Sequence, residues 1–250
     1  MDIFWIIMLF LFGIIFGSFF NVVGLRLPEK LPFHNDRSFC PVCKQQLKWY
    51  ELIPIFSYII QRGKCRNCSA KISSIYPIIE MLTGLLFAFS YAQIGFQLEL
   101  ITALLFISML MIIFVSDISY MLIPNKVLLF FLPFFILIRI ISPLIPWYDA
   151  IIGPVAGFGL IALIIIVSQG GMGAGDMKLF GVIGMVLGWK KVLLAFFIAA
   201  FLGAIIGGIL MIVNKVKKKQ PIPFGPYIVV GALVSYFYGE QILTFYLSLL

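Results

Sequence analysis

The chain has 250 residues, 62% of them hydrophobic and only 11% charged. A soluble domain carries roughly twice that charged fraction, so a soluble fold is excluded and the long apolar runs are membrane spans. The formal charge of +8 raises nucleic acid as a partner, but its distribution along the chain suits membrane topology and anionic lipid, and no nucleic-acid partner is expected.

The first apolar run covers residues 3–24. Met1-Asp2 offers no basic stretch ahead of it, and no small-x-small cleavage site follows, so it reads as a true first helix rather than a secretory signal. Residues 26–75 form the only sizeable polar segment, too short for an ordinary independent core. Seven further runs follow at 76–95, 98–116, 127–145, 150–168, 177–189, 192–213 and 226–249, the sixth of the eight being short and Gly-rich. A span needs about 20 apolar residues. The expected fold is therefore an all-α polytopic membrane protein of about eight transmembrane helices. Its parts are a first helix (1–25), a polar loop (26–75) and a seven-helix membrane domain (76–250). No internal repeat is evident.

Lys and Arg set the orientation. The polar loop holds nine of them, and with eight spans Lys126, Lys178, Lys215, Lys217, Lys218 and Lys219 fall on the same side. Only Arg139, Lys190 and Lys191 fall on the other. The large loop is therefore expected on the cytoplasmic side, with both termini outside. Residues 215–219 are read as an anchor to anionic headgroups.

All four cysteines lie in the polar loop, as Cys40-x2-Cys43 and Cys65-x2-Cys68. Two such pairs are a tetrahedral metal signature, Zn²⁺ above all. Pro41 and Asn67 suit the knuckle turns. Two disulfides are the alternative, disfavoured by a cytoplasmic location. A closed four-thiolate site has no open position, so its expected role is structural, a staple for the loop. His34, the single histidine, reads as exposed rather than as a ligand.

Two acids stand at the ends of apolar runs on the cytoplasmic side. Asp117 lies in Ser116-Asp117-Ile118-Ser119-Tyr120, and Asp176 in Gly171-Met172-Gly173-Ala174-Gly175-Asp176-Met177-Lys178. Carboxylates beside hydrocarbon are costly and usually functional. A pair that shares one proton activates water and protonates a leaving amine. Gly173 and Gly175 would let a substrate strand approach the backbone. The plainer alternative is that each acid is a helix cap or ion-pair partner, for example Asp176 with Lys178. Glu80 stands near the cytoplasmic end of the second span, either functional or paired with Arg26 or Lys71.

Together these stretches resemble the bacterial type IV prepilin leader peptidases, a family of Gly-x-Gly-Asp intramembrane aspartyl proteases. Besides the Asp117 and Asp176 stretches, the resemblance rests on Gly17-Ser18-Phe19-Phe20-Asn21-Val22-Val23 with Arg26-Leu27-Pro28, on Ile123-Pro124-Asn125, and on Pro223-Phe224-Gly225-Pro226-Tyr227. It implies that Asp117 and Asp176 are the catalytic dyad, with Gly173, Gly175 and Lys178 at the substrate. The implied substrate is a prepilin or pseudopilin whose short basic leader is removed at the membrane interface. Members with a four-Cys loop also methylate the new N-terminus with S-adenosylmethionine. The residues this resemblance suggests for that step are Asn21, Arg26, Gly63, Lys64 and Glu80. Two rival readings remain at this stage: a proton-coupled transporter, and a non-enzymatic zinc-stapled scaffold of a pilus or secretion machine.

Overall fold

A computed structural model of the chain describes residues 2–31, 38–213 and 222–249. His34, Arg37 and the basic residues 215–219 lie outside the described residues. The described chain is helical: α1 (Asp2–Arg26), α2 (Phe56–Ile60), α3 (Ile75–Ile94), α4 (Leu98–Tyr120), α5 (Asn125–Ile141), α6 (Asp149–Val167), α7 (Ala174–Leu187), α8 (Trp189–Ile212) and α9 (Gly225–Ser248), with one 3-10 turn at Trp49–Leu52. Six of these, α1, α3, α4, α6, α8 and α9, are long and apolar enough to cross a membrane. α5 and α7 have 17 and 14 residues. Few side chains on α6 and α8 are buried though almost all are apolar, which only a lipid surround makes stable.

Several helix ends differ from the hydropathy limits for local reasons. α4 runs on to Tyr120, so Asp117 sits inside its last turn rather than beyond it. α5 stops at Ile141, capped by Ser142, because Pro143 bars the residue before it from helical geometry. α7 begins at Ala174, ahead of Asp176. Gly188, at φ 78, makes the break between α7 and α8, a backbone conformation that a side chain would oppose.

The chain divides into two compact units, Met1–Val115 and Ser116–Leu250. In the first, α1 packs along α3. Their backbones nearly touch: a Cβ on Gly13 would lie 2.7 Å from Gly84 Cα, and one on Gly17 would lie 2.8 Å from Glu80 Cα. Glycines spaced by four on α1 thus remove the side chains that would hold the helices apart.

In the second unit, α7 packs against α5, α6, α8 and α9. Gly153 and Gly184 meet backbone to backbone, each with no room for a Cβ. The unit has two distinct ends. At one, Arg139 Nη2 of α5 donates to the Val186 carbonyl of α7 at 2.8 Å, and Gly188 lies against Asp149 at the start of α6. At the other lie the end of α4 and the starts of α7 and α9, joined by the bonds described next.

Candidate active site and four-cysteine centre

Asp117 is 5% exposed in the last full turn of α4. Its Oδ2 accepts a hydrogen bond from the Gly225 N–H at 2.7 Å. Gly225 opens α9, with Pro226 in the first turn, where a missing N–H costs nothing. A Cβ on Gly225 would fall 2.6 Å from that oxygen, so the close approach requires glycine. The neighbouring Ser116 hydroxyl donates to the Leu122 carbonyl at 2.6 Å, and Met121 takes a positive φ of 52. Together they curl the chain after Asp117 back over the helix end.

Asp176 is the third residue of α7, and its Oδ2 accepts from the Gly173 N–H at 3.1 Å. This is the reciprocal half of a capping box, with glycine at the cap itself. The Gly173 N–H is therefore occupied by Asp176 rather than offered outward. Gly175 lies inside the helix, against Ile123. Lys178 does not need to neutralise Asp176, because its ammonium donates to Asn125 Oδ1 at 3.2 Å.

The two acids line one cavity of about 770 Å³. One wall is the Gly170–Gly175 stretch. The other is apolar, formed by Phe196, Ala200 and Gly203 of α8 with Phe224, which caps α9, and Tyr227 in its first turn. Hydropathy reading missed the α8 wall and the amide on Asp117. The Gly203-x3-Gly207 spacing was a signal for the first, although Gly203 faces Phe224 and Tyr227 rather than another backbone. Chemically, two carboxylates, one in a hydrogen-bonded niche and one at a helix start, open onto a space that admits water and a peptide strand.

The cysteines form a separate centre. The Cys40 N–H donates to Gln45 O and the Lys44 N–H to Cys40 O; the Cys65 N–H donates to Ala70 O and the Ser69 N–H to Cys65 O. The two knuckles are thus the same turn built twice. Lys44 and Ser69 close them, both at φ 58, beside the Pro41 and Asn67 expected to suit these turns. Cys40 Sγ lies 3.7 Å from Cys68 Sγ, and Cys43 Sγ lies 4.0 Å from Cys65 Sγ. All four ligand atoms fall within 4.8 Å of one another. A tetrahedron with metal–sulfur bonds of ~2.3 Å has edges of about 3.8 Å, whereas a disulfide needs ~2.0 Å. The set therefore fits one tetrahedral metal ion and no disulfide. The backbone N–H of Gln45, then the Asn67 side chain, pulls the Cys43 thiol down to about 6. The Cys65 thiol is lowered by the backbone N–H groups of Cys68 and Asn67. The Ala70 N–H lowers Cys68, but burial and the three other sulfurs outweigh it and push that thiol up to about 11. Such sharing of protons among four sulfurs is what a bound cation resolves, since its ligands must be thiolates.

The residues suggested for methyl transfer fall in two groups. Asn21 and Glu80 lie in the α1–α3 packing. Asn21 Nδ2 donates to Tyr76 O at 3.2 Å, while Asn21 Oδ1 is buried with no hydrogen-bond partner. Glu80 Oε2 accepts from the Ile55 N–H at 2.7 Å, with the Ser18 hydroxyl on the same carboxyl. These partners replace the expected pairing of Glu80 with Arg26 or Lys71. Arg26 ends α1. Gly63 and Lys64 belong instead to the second knuckle, where Gly63 has φ 67 and Lys64 bridges Lys71.

Comparison with known proteins gives the family. The bacterial peptidase A24 N-terminal domain matches residues 11–94, and the type IV leader peptidase family matches residues 104–208. A prepilin leader peptidase/N-methyltransferase of Bacillus subtilis is 46% identical over 241 residues, covering 96% of this chain and 97% of that protein. The chain belongs to the type IV leader peptidase family. More distant members carry the same name: one from Aeromonas salmonicida is 31% identical, covering 96% of this chain and 93% of its own, and one from Pseudomonas aeruginosa is 29% identical, covering 95% and 92%. No solved structure matches the chain. Membership in this family leaves the transporter and scaffold readings without support, and makes the chain an enzyme of the inner membrane.

Proposed function

We propose that this protein is a membrane-embedded aspartyl endopeptidase that removes the short leader of prepilin-like proteins at the cytoplasmic interface and then methylates the new N-terminus. The observation that carries the first activity is that Asp117 and Asp176 line one cavity at one end of the second unit. Two carboxyls that face one cavity do not both ionise readily, so one holds a proton while the other is free. The ionised carboxylate takes a proton from water as its oxygen attacks the scissile carbonyl. The protonated one delivers a proton to the leaving amine. The Gly225 N–H fixes the Asp117 carboxylate, and the Gly173 N–H fixes that of Asp176. The apolar wall of α8 and α9 suits the first residues of the substrate's own membrane helix, and Gly173, Gly175 and Lys178 stand beside its extended leader.

Eight crossings are supported by the alternation of the ends. The end of α4 and the starts of α7 and α9 share one end of the second unit, while Arg139, Asp149 and Val186 share the other. α5 must therefore lead away and α6 back, and α7 away and α8 back. α7 reaches only about 21 Å against a hydrocarbon core of ~30 Å, so Asp176 is sunk below the surface in a cavity that water can enter. With the basic residues on the cytoplasmic side, both termini face outward and the cavity opens inward.

Zn²⁺ is the ion best suited to four thiolates and would be held by Cys40, Cys43, Cys65 and Cys68 as a structural staple. For methylation, the orphan Asn21 Oδ1 and the neighbouring Glu80 are the buried polar groups able to hold a cationic donor; S-adenosylmethionine, when bound, supplies the methyl group.

The decisive experiment converts Asp117→Asn and Asp176→Asn in separate chains and sizes a prepilin incubated with each in detergent. Leader removal should disappear in both while membrane insertion is unchanged. Full processing by either variant rejects the dyad.

A further inference from the structure

The polar loop is less polar than its composition suggests. Trp49, Leu52, Ile53, Phe56, Ile59 and Ile60 are all exposed, Trp49 at 77% and Ile60 at 68%. They occupy the 3-10 turn, α2 and the link between them. Around them, Lys44, Lys48, Arg62, Lys64, Arg66 and Lys71 are exposed, against one acid, Glu51. The Glu51 carboxylate is already taken by the Lys48 N–H at 2.8 Å. Lys48 and Arg66 both hover over the Tyr50 ring, 5.9 and 5.2 Å from its centre. The segment is an apolar strip with a cationic rim.

Its depth follows from one hydrogen bond. The Ile55 N–H reaches Glu80 Oε2, and Glu80 is five residues into α3, about 7–8 Å along the axis. Ile55 takes a φ of 62 to make that bond, a conformation that a β-branched residue adopts only under constraint. The middle of the strip is therefore drawn back alongside a membrane helix instead of projecting into water.

We propose that residues 49–60 form an interfacial insertion that lies in the leaflet around the start of α3, with the knuckle cations seated on anionic headgroups. The occupant of the apolar strip is lipid, because the rim carries one sign of charge and the strip is held at the level where hydrocarbon meets headgroup. An amphipathic segment with aromatic and aliphatic residues on one side and Lys/Arg on the other has this preference. The four-cysteine staple then fixes the rim relative to the strip, and Glu80 fixes the strip relative to α3. The inference rests on α3 crossing the membrane.

The test places Trp49 alone in the chain (Trp5→Phe, Trp147→Phe, Trp189→Phe) and reconstitutes the full protein in phosphatidylcholine–phosphatidylglycerol bilayers. Lipids brominated on their acyl chains should quench Trp49 emission by about half or more, and aqueous acrylamide should quench it weakly. Trp49 quenched by acrylamide and not by bromine overturns the proposal. Trp49 shielded from both, as a protein partner would leave it, also overturns it. Phe56→Ser with Ile60→Ser should shift Trp49 toward acrylamide, and an unchanged profile removes the apolar strip as the cause. Leu85→Trp in a chain lacking the other tryptophans reports on α3 itself, where the side chain is 53% exposed. Bromine quenching there but not at Trp49 sinks the insertion alone, whereas none at either position sinks the span.

Discussion

The two chemical centres of this molecule are assembled by opposite means. In the four-cysteine loop, each pair of sulfurs is presented by a single turn, and the second turn repeats the first bond for bond. In the acid cavity, Asp117, Asp176 and Gly225 come from three helices, and the Gly225–Asp117 bond alone spans 108 residues. A turn is set by the few residues within it. A cavity exists only while several helix contacts hold at once. The first centre should therefore fail locally, through its ligands and its ion, and the second should fail through geometry.

The sharpest break in that comparison is chemical. Asp117→Asn should lower leader cleavage by at least about 100-fold, the scale of general acid–base catalysis, while methylation of a peptide already lacking its leader continues; mass spectrometry of both products checks this. Loss of both activities together would mean that the two activities are not separable. Gly225→Ala comes next. Its Cβ would press on the Asp117 carboxylate, and a displacement of ~1 Å is enough for a fall of roughly 10–100-fold in kcat, with KM less affected. Gly203→Ala, which meets only the ring edges of Phe224 at 3.2 Å and Tyr227 at 3.4 Å, should do much less, and equal effects would argue against the carboxylate's position as the cause.

Cys40→Ser with Cys65→Ser should reduce bound zinc to background in elemental analysis and open residues 38–74 to protease, since a loop this small has no core of its own. Cleavage by the acid cavity should survive better than methylation, and zinc that stays at a molar equivalent would remove the metal. Gly153→Ala should destabilise the second unit by about 1–3 kcal/mol through overpacking against Gly184, read as a lower thermal midpoint in detergent. Gly159→Ala, with nothing near its Cβ position, is the neutral reference. The smallest effect expected is from Lys178→Met, which loses one exposed bond to Asn125 worth ~1 kcal/mol and should raise KM a few-fold.

Much of the cysteine centre was legible beforehand, because ligand spacing is itself the geometry. Only the closing residues, Lys44 and Ser69, were out of reach: neither is a typical left-handed residue, and the ring of bonds around each sulfur pair holds them there. The acids were legible as unusual residues at the ends of apolar runs. Their surroundings were not. Nothing near Asp117 in sequence announces the Gly225 amide, and the Lys178 side chain turned to Asn125 rather than to the acid two residues away. Glu80 shows the same limit, since its partners are Ser18 and a strained Ile55 backbone rather than a cation.

Hydropathy, charge placement and two short spacings determined, without coordinates, that this is a helical membrane protein with a four-cysteine centre in its polar loop and two acids at membrane ends. Those properties are local, because burial cost and turn chemistry act residue by residue. Which helices touch, and that three distant helix ends enclose one cavity, were decided only by the tertiary structure. Close packing depends on the shapes of both surfaces at once, and a single strand of sequence carries just one of them at a time.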